Sequence, residues 1–139
     1  MAGSLYDRLG GLPAIEAVVE ALAGRAAGDT RINQKFARTD IARLKRMVVD
    51  QVCEATGGPC TYSGRSMEQT HQGMGVTAGE FEAFVEDLVT TLNQFNVGKA
   101  EQDELLSKLG GFRSEIVESE SAQTGTPLPA SYQPAPAMA

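Results

Sequence analysis

Residues 66–76 read SMEQTHQGMGV and contain His71, the one histidine of the chain. Met67 precedes His71 by four residues, so on a helix the two side chains share a face. Val76 and Phe81 follow closely. An imidazole among Met, Val and Phe side chains is what an axial haem ligand requires, since the macrocycle needs an apolar slot and its iron a nitrogen donor. The other interpretation is a partly buried histidine with an ordinary hydrogen bond.

The composition is that of a globular protein and excludes several classes of partner. With 139 residues and 14.7 kDa, the chain is long enough for one domain. Its 12 basic and 18 acidic side chains give a net charge of −6, which argues against nucleic acid and anionic membranes as partners. No apolar run approaches the ~20 residues of a membrane span. Residues 1–7 lack the features of a signal peptide, so we expect a cytoplasmic or periplasmic protein.

Apolar side chains recur at helical spacing along four segments that glycines separate. They are Ile15, Val18, Val19 and Leu22; Ile41, Leu44, Val48 and Val52; Phe81, Phe84, Val85, Leu88 and Leu92; and Leu105, Leu106, Leu109, Phe112 and Ile116. Thr77 followed by Glu80 has the spacing of a capping box, which predicts where the third helix begins. Because no alternating strand pattern occurs, the predicted fold class is all-α.

The apolar periodicity ends at residue 118. Residues 119–139 are rich in Ser, Pro, Ala, Thr and Gln, and such a segment buries too little apolar surface to offset its chain entropy. We therefore predict a folded domain over residues 1–118 and a disordered tail over residues 119–139, whose removal leaves the fold intact.

Cys53 and Cys60 flank a Gly-Gly-Pro turn at residues 57–59. They do not form the Cys-x-x-Cys-His sequence that attaches c-type haem. Two interpretations stay open: a pair of buried free thiols, or a disulfide across the turn, for which the Cα atoms have to lie within roughly 7 Å. A disulfide would favour the periplasm over the cytoplasm.

Linked motifs along the chain resemble those of group I truncated haemoglobins. In order they are LYDRLGG at 5–11, IEAVV at 15–19, Phe36, TGGP at 56–59, YSG at 62–64, and Met67 with His71. The similarity covers residues 4–117, and the ordered set is far more specific than any one motif. The resemblance implies a two-over-two helical sandwich around one haem b per chain, with His71 as the proximal iron ligand.

The resemblance also implies which side chains surround the haem. Phe36 matches the phenylalanine that stacks on it. The other pocket positions are Leu44, Met47, Val48, Met67, Val76, Phe81, Phe84 and Leu88. Within the basic patch at residues 43–46, Lys45 and Arg46 are the candidates for contacts to the haem propionates, and the alternative is a solvated face.

The distal side departs from the family pattern. Where the family usually has an aromatic residue and then a tyrosine, this chain has Leu22 and Ala23. Where it often has glutamine, this chain has Leu44 and Val48. With no evident hydrogen-bond donor, O2 binding is predicted to be weak. Met47 matches the position from which other members bind the iron through His or Lys; it is either a thioether ligand or a flexible side chain that fills a gap.

Two functions from different classes follow. The first is the binding of a small diatomic ligand (O2, CO or NO) opposite His71. The alternative is an electron-transfer or redox-sensing haem protein with His71 and Met47 as axial ligands. Any catalysis would be haem redox chemistry of the nitric oxide dioxygenase or peroxidase type. The expected partners are the gas and a redox partner or reductase, and the expected assembly is a monomer or weak dimer.

Overall fold

The computed structural model describes residues 3–36, 41–62 and 74–126. Within these ranges the chain forms six α-helices and a short 3-10 helix, and no strand. In chain order they are α1 (Leu5–Leu9), α2 (Gly11–Gly28), the 3-10 helix (Asn33–Phe36), α3 (Ile41–Ala55), α4 (Ala78–Gln94), α5 (Lys99–Gly110) and α6 (Arg113–Ile116). The all-α prediction is confirmed.

Helix α2 is the central element, since it packs against both α3 and α4. Helix α1 contacts α2 and α5, and α4 packs on α5. The pair α2–α3 and the pair α4–α5 are the two layers of a two-over-two sandwich. The predicted architecture is therefore the one that the chain adopts.

In the part of the chain that the structure describes, buried apolar side chains form four clusters. Their most buried members are Ile15, Val19 and Cys53 between α2 and α3; Leu22, Leu88 and Leu92 between α2, α4 and α5; Ala26, Ile32 and Ala83 around the end of α2; and Met74, Val76, Phe81 and Ile116 at the start of α4. Helix α4 contributes to three of these clusters, so its position fixes the surroundings of the predicted site.

Helix α4 begins with the predicted capping box. The backbone N–H of Glu80 donates to Thr77 Oγ1, and the backbone N–H of Thr77 donates to Glu80 Oε1, both at 3.0 Å. The two bonds satisfy N–H groups that a helix leaves unpaired at its start. The residues that follow His71 in the sequence therefore lead directly into a firmly capped helix.

Residues 119–126 lie against the first turn of α4. The sequence predicts that this segment belongs to a disordered tail, so here the structure and the prediction differ. The backbone N–H of Ala78 donates to the Ser119 carbonyl at 2.8 Å, and that of Gly79 to the Ser121 carbonyl at 3.1 Å. These are main-chain bonds, which apolar periodicity does not report. The rest of the predicted tail, residues 127–139, lies outside the described residues.

Candidate functional site

The predicted iron ligand His71 and its neighbour Met67 lie outside the described residues, so the structure fixes only the chain on either side of them. Before them, the backbone N–H of Tyr62 donates to Glu54 Oε2 at 3.1 Å. After them, Met74 is buried, with 6% of its surface exposed. The segment that carries His71 therefore joins the end of α3 to the start of α4.

One face of α4 carries the aromatic side chains predicted for the pocket. Phe84 is half-buried and packs against the cluster at the end of α2, and Phe36 packs against the same cluster. Phe81, nearly one turn earlier on α4, packs in one cluster with Val76. Leu88 is buried one turn after Phe84. Phe36 and Phe84 thus pack against one cluster, and Val76 and Phe81 belong to another.

Helix α3 supplies the other predicted apolar positions. Val48 is half-buried and packs against Ile15 and Val19 of α2. Leu44 and Met47 are also half-buried, but among the described residues they belong to none of the four clusters. Half-buried apolar side chains on α3 and α4 fit the apolar surroundings that a haem macrocycle needs.

The donor set also fits a haem. In the described part of the chain no group of three or more His, Cys, Asp or Glu side chains is placed to hold a metal ion. The sequence offers one imidazole, His71, and the thioether of Met47. One or two axial ligands of these kinds suit an iron whose remaining ligands come from the macrocycle.

Helix α2 presents only hydrocarbon at the two positions where the family pattern has aromatic residues. Leu22 is buried, with 7% of its surface exposed, and packs with Leu88 and Leu92. Ala23 is half-buried and ends in a methyl group. Neither side chain has a hydrogen-bond donor.

The basic patch on α3 faces carboxylates of α2. Lys45 Nζ lies 2.8 Å from Glu20 Oε2, in a salt bridge that is partly exposed. Lys45 and Arg46 line a surface cavity of about 320 Å³ together with Glu16, Glu20 and Asp50. A contact of Lys45 to a haem propionate stays a prediction, and in the structure its Nζ is paired with Glu20.

Cys53 and Cys60 form a disulfide, which decides between the two interpretations left open by the sequence. Their Cα atoms are 5.6 Å apart, within the range that a bridge requires. The turn is tight, because a Cβ atom on Gly58 would lie 2.5 Å from the Tyr6 ring. The bridge joins the end of α3 to the chain that leads to His71.

Sequence reasoning missed a buried ion pair beside the predicted pocket. Lys35 and Glu80 expose 4% and 2% of their surfaces, and Lys35 Nζ lies 3.7 Å from Glu80 Oε1. The sequence does contain an indication that Glu80 is buried: it precedes Phe84 by four residues and so lies on the apolar face of α4. Lys35 carries no such signal beyond its place next to Phe36.

A second missed cluster joins the end of α2 to α4. Arg31 bonds both carboxylate oxygens of Asp29 at 3.0 Å, and its Nη2 lies 3.7 Å from Asp87 Oδ1. The Arg31 guanidinium lowers the pKa of Asp29 to about 2. Burial, and then the neighbouring Asp29 carboxyl group, raise the pKa of Asp87 to about 6.

Comparison with known proteins identifies what the chain is similar to. The family model described as bacterial-like globin matches residues 4–118. The group 1 truncated haemoglobin GlbN of Mycolicibacterium paratuberculosis is 34% identical over 120 residues, which are 86% of this chain and 88% of that protein. GlbN of a Nostoc species is 32% identical over 114 residues, 82% of this chain and 97% of that protein.

Solved structures give the same result. The truncated haemoglobin of Tetrahymena pyriformis in its Fe(III) form has a TM-score of 0.80 at 28% identity, covering 83% of this chain and 98% of that one. The 2/2 haemoglobin of Synechococcus sp. PCC 7002, in the cyanomet state with covalently attached haem, has a TM-score of 0.79 at 36% identity with the same coverage. Among the described residues, no helix is both long enough and apolar enough to cross a membrane.

Proposed function

This chain belongs to the bacterial-like globin family and is a group 1 truncated haemoglobin, so its cofactor is haem b and its ligand is a gas. We propose that His71 binds the haem iron and that O2, CO or NO binds on the opposite, apolar side. When bound, the haem supplies the iron and a coordination position open to the gas. His71 is the one histidine of the chain, so no second imidazole competes for the proximal role.

The observation that carries the proposal is the convergence of Phe36 and Phe84 on one buried cluster. These two elements are far apart in the sequence, and the family motif assigns Phe36 to the haem face. Phe81 and Val76 pack together nearly one turn away along α4. Leu44 and Met47 would cover the opposite side of the macrocycle from α3. The role of these side chains is to exclude water and to orient the haem.

The distal residues set how strongly O2 is retained. Bound O2 carries partial negative charge and gains from a hydrogen-bond donor, which is generally worth about 0.5–1.5 kcal/mol. Ala23, Leu44 and Val48 provide none. We therefore propose a gas-binding protein that releases O2 quickly, rather than an oxygen store.

The visible spectrum of the ferrous protein tests the coordination. One broad band indicates five-coordinate iron and supports the proposal. Two sharp bands indicate six-coordinate low-spin iron, which is the signature of the redox carrier with His71 and Met47 as axial ligands. In that case Met47→Leu should convert the two bands into one.

A pair of variants tests His71 itself. His71→Ala should lose the haem or retain it only weakly, because the chain offers no other imidazole. The second variant exchanges Gln69 and His71, which preserves the composition but moves the imidazole two positions along the chain, and it should lose the haem as well. A wild-type haem spectrum in either variant would refute the proximal assignment.

A further inference from the structure

The chain that follows His71 is bound from two directions. Lys35 Nζ donates to the Met74 carbonyl at 2.9 Å. From the other end of the sequence, Glu118 Oε1 accepts a bond from the backbone N–H of Gly75 at 2.6 Å, and the backbone N–H of Glu118 donates to the Val76 carbonyl at 2.8 Å. Residues 74–76 are thus attached both to the 3-10 helix and to the C-terminal part of the chain.

Glu80 connects these two attachments. Its Oε2 accepts bonds from the backbone N–H and the hydroxyl of Thr126, both at 2.7 Å. Its Oε1 accepts the Thr77 N–H at 3.0 Å and lies 3.7 Å from Lys35 Nζ. A buried charge is tolerated only when it is paired and hydrogen-bonded. Residue 126 therefore completes the environment of a carboxylate that faces Lys35.

The C-terminal segment follows the surface of α4 closely. Thr77 Oγ1 donates to the Gln123 carbonyl, and the backbone N–H of Gly79 to the Ser121 carbonyl. A Cβ atom on Gly79 would lie 2.4 Å from the Ala122 carbonyl oxygen, so only glycine permits this approach. We name the assembly of Lys35, Glu80, the side chains of Glu118 and Thr126, and the main chain of residues 119–123 the proximal clasp.

We propose that the proximal clasp positions His71 against the haem iron, an inference that rests on the proposed function of His71 as iron ligand. Met74 follows His71 by three residues, so the two Cα atoms lie within roughly 11 Å of each other. In the sequence, Lys35 directly precedes Phe36, the predicted stacking residue. One buried side chain thus ties the segment that carries the imidazole to the segment that packs on the macrocycle. Lys35, Glu80 and Thr126 are positioning residues.

The experiment uses the full-length, haem-loaded chain. Thr126→Val removes a hydroxyl donor to Glu80, and Thr124→Val makes the same change at an exposed neighbour in the same segment. Glu118→Ala, with Glu120→Ala as its control, releases Gly75 from the other side. Two quantities are measured: the iron–histidine stretching band in the resonance Raman spectrum, just after photolysis of the CO complex, and the rate of haem transfer to apomyoglobin.

In Thr126→Val and Glu118→Ala we expect the iron–histidine band to shift and to broaden. We also expect haem transfer to become about tenfold faster, because each variant loses one hydrogen bond to a charged group. Both controls should match the unmodified protein. A lower melting temperature with an unchanged band would show a merely structural role and overturn the proposal. A haem-loaded unmodified protein without any iron–histidine band would instead refute the proposed function on which it rests.

Discussion

Ala23 is half-buried on α2, one turn after Val19, and ends in a methyl group at the position where the family pattern has tyrosine. We predict that Ala23→Tyr slows O2 dissociation about two- to tenfold, because a phenol hydroxyl restores a donor worth about 0.5–1.5 kcal/mol. The measurement is stopped-flow displacement of O2 by CO.

Ala17→Tyr is the control for this substitution, since residue 17 lies on the same helix and is exposed. It should leave the O2 dissociation rate unchanged. If the unmodified protein already releases O2 slowly, a hydrogen-bond donor from another residue reaches the ligand, and the apolar distal side is refuted.

The Asp29–Arg31–Asp87 cluster makes stability depend on pH in two opposite ways. The lowered pKa of Asp29, about 2, contributes stability that is present above pH 4 and is lost as the pH falls toward 2. The raised pKa of Asp87, about 6, means that the folded protein retains a proton which the unfolded chain has released. Stability is therefore lost as the pH rises from about 4 to about 6.

Asp87→Asn should remove the second effect, because an amide resembles the protonated carboxyl group. The Asp87 side chain is 9% exposed, and we expect the free energy of unfolding at pH 8 to rise by at most about 3 kcal/mol, with little change at pH 4. Urea unfolding at both pH values measures this difference. Asp103→Asn, in an exposed pair with Lys99, is the control and should change stability by less than about 0.5 kcal/mol. An equal effect of Asp87→Asn at pH 4 and pH 8 would contradict the assigned ionisation.

The disulfide between Cys53 and Cys60 acts on the connection between α3 and the segment that carries His71. It closes a loop with a sequence separation of 7 residues, and a loop of this length gives about 2 kcal/mol of stabilisation in the chain-entropy model. We predict that Cys53→Ala/Cys60→Ala lowers the free energy of unfolding by about that amount.

A reducing agent provides the matched measurement. Dithiothreitol should lower the melting temperature of the unmodified protein to that of the double variant, and should leave the variant unchanged. Thiol titration of the unreduced, denatured protein should find no free thiol, as the structure contains no free cysteine. Two titratable thiols would contradict the bridge.

The helices show what a sequence pattern predicts and what it leaves out. The capping box of Thr77 and Glu80 follows from spacing alone, because the two bonds that define it are local. The burial of Glu80 against Lys35 does not follow, since it depends on contacts between segments distant in the sequence. Likewise, the spacing placed Cys53 and Cys60 around one turn, but the choice of a disulfide over free thiols needed the Cα separation of 5.6 Å in the structure.

For the molecule as a whole, the family motifs predicted the two-over-two architecture, because it depends on side-chain type at fixed positions. Phe36 and Phe84 pack against one buried cluster, and their place in a haem pocket stays a prediction. The partner of Lys45 was not predictable, since Glu20 lies on another helix. The C-terminal segment was missed for a different reason: Ser119, Ser121 and Gln123 attach to α4 through main-chain carbonyl groups, which any residue type possesses.

That segment leads to a prediction about the extent of the domain. A chain that ends at residue 118 loses the bonds from Ala78 and Gly79 to residues 119 and 121, and it leaves Glu80 without Thr126. A chain that ends at residue 126 retains all of them, and the composition of residues 127–139 still predicts disorder. We expect the chain that ends at 126 to melt at the same temperature as the full-length protein.

The chain that ends at residue 118 should melt about 10 °C lower, because losing these hydrogen bonds and leaving a buried carboxylate underpaired costs about 2–4 kcal/mol. Circular dichroism at increasing temperature measures the melting temperatures of the three chains. Each chain is measured without haem, so that differences in haem affinity do not affect the comparison. Equal melting temperatures for all three would show that residues 119–126 do not stabilise the fold, as their composition alone predicts. A drop already in the chain that ends at 126 would place stabilising contacts beyond Thr126. Only a drop confined to the shortest chain agrees with a domain whose C-terminal boundary is set by main-chain bonds to α4 rather than by Ile116, the last buried apolar side chain of the described residues.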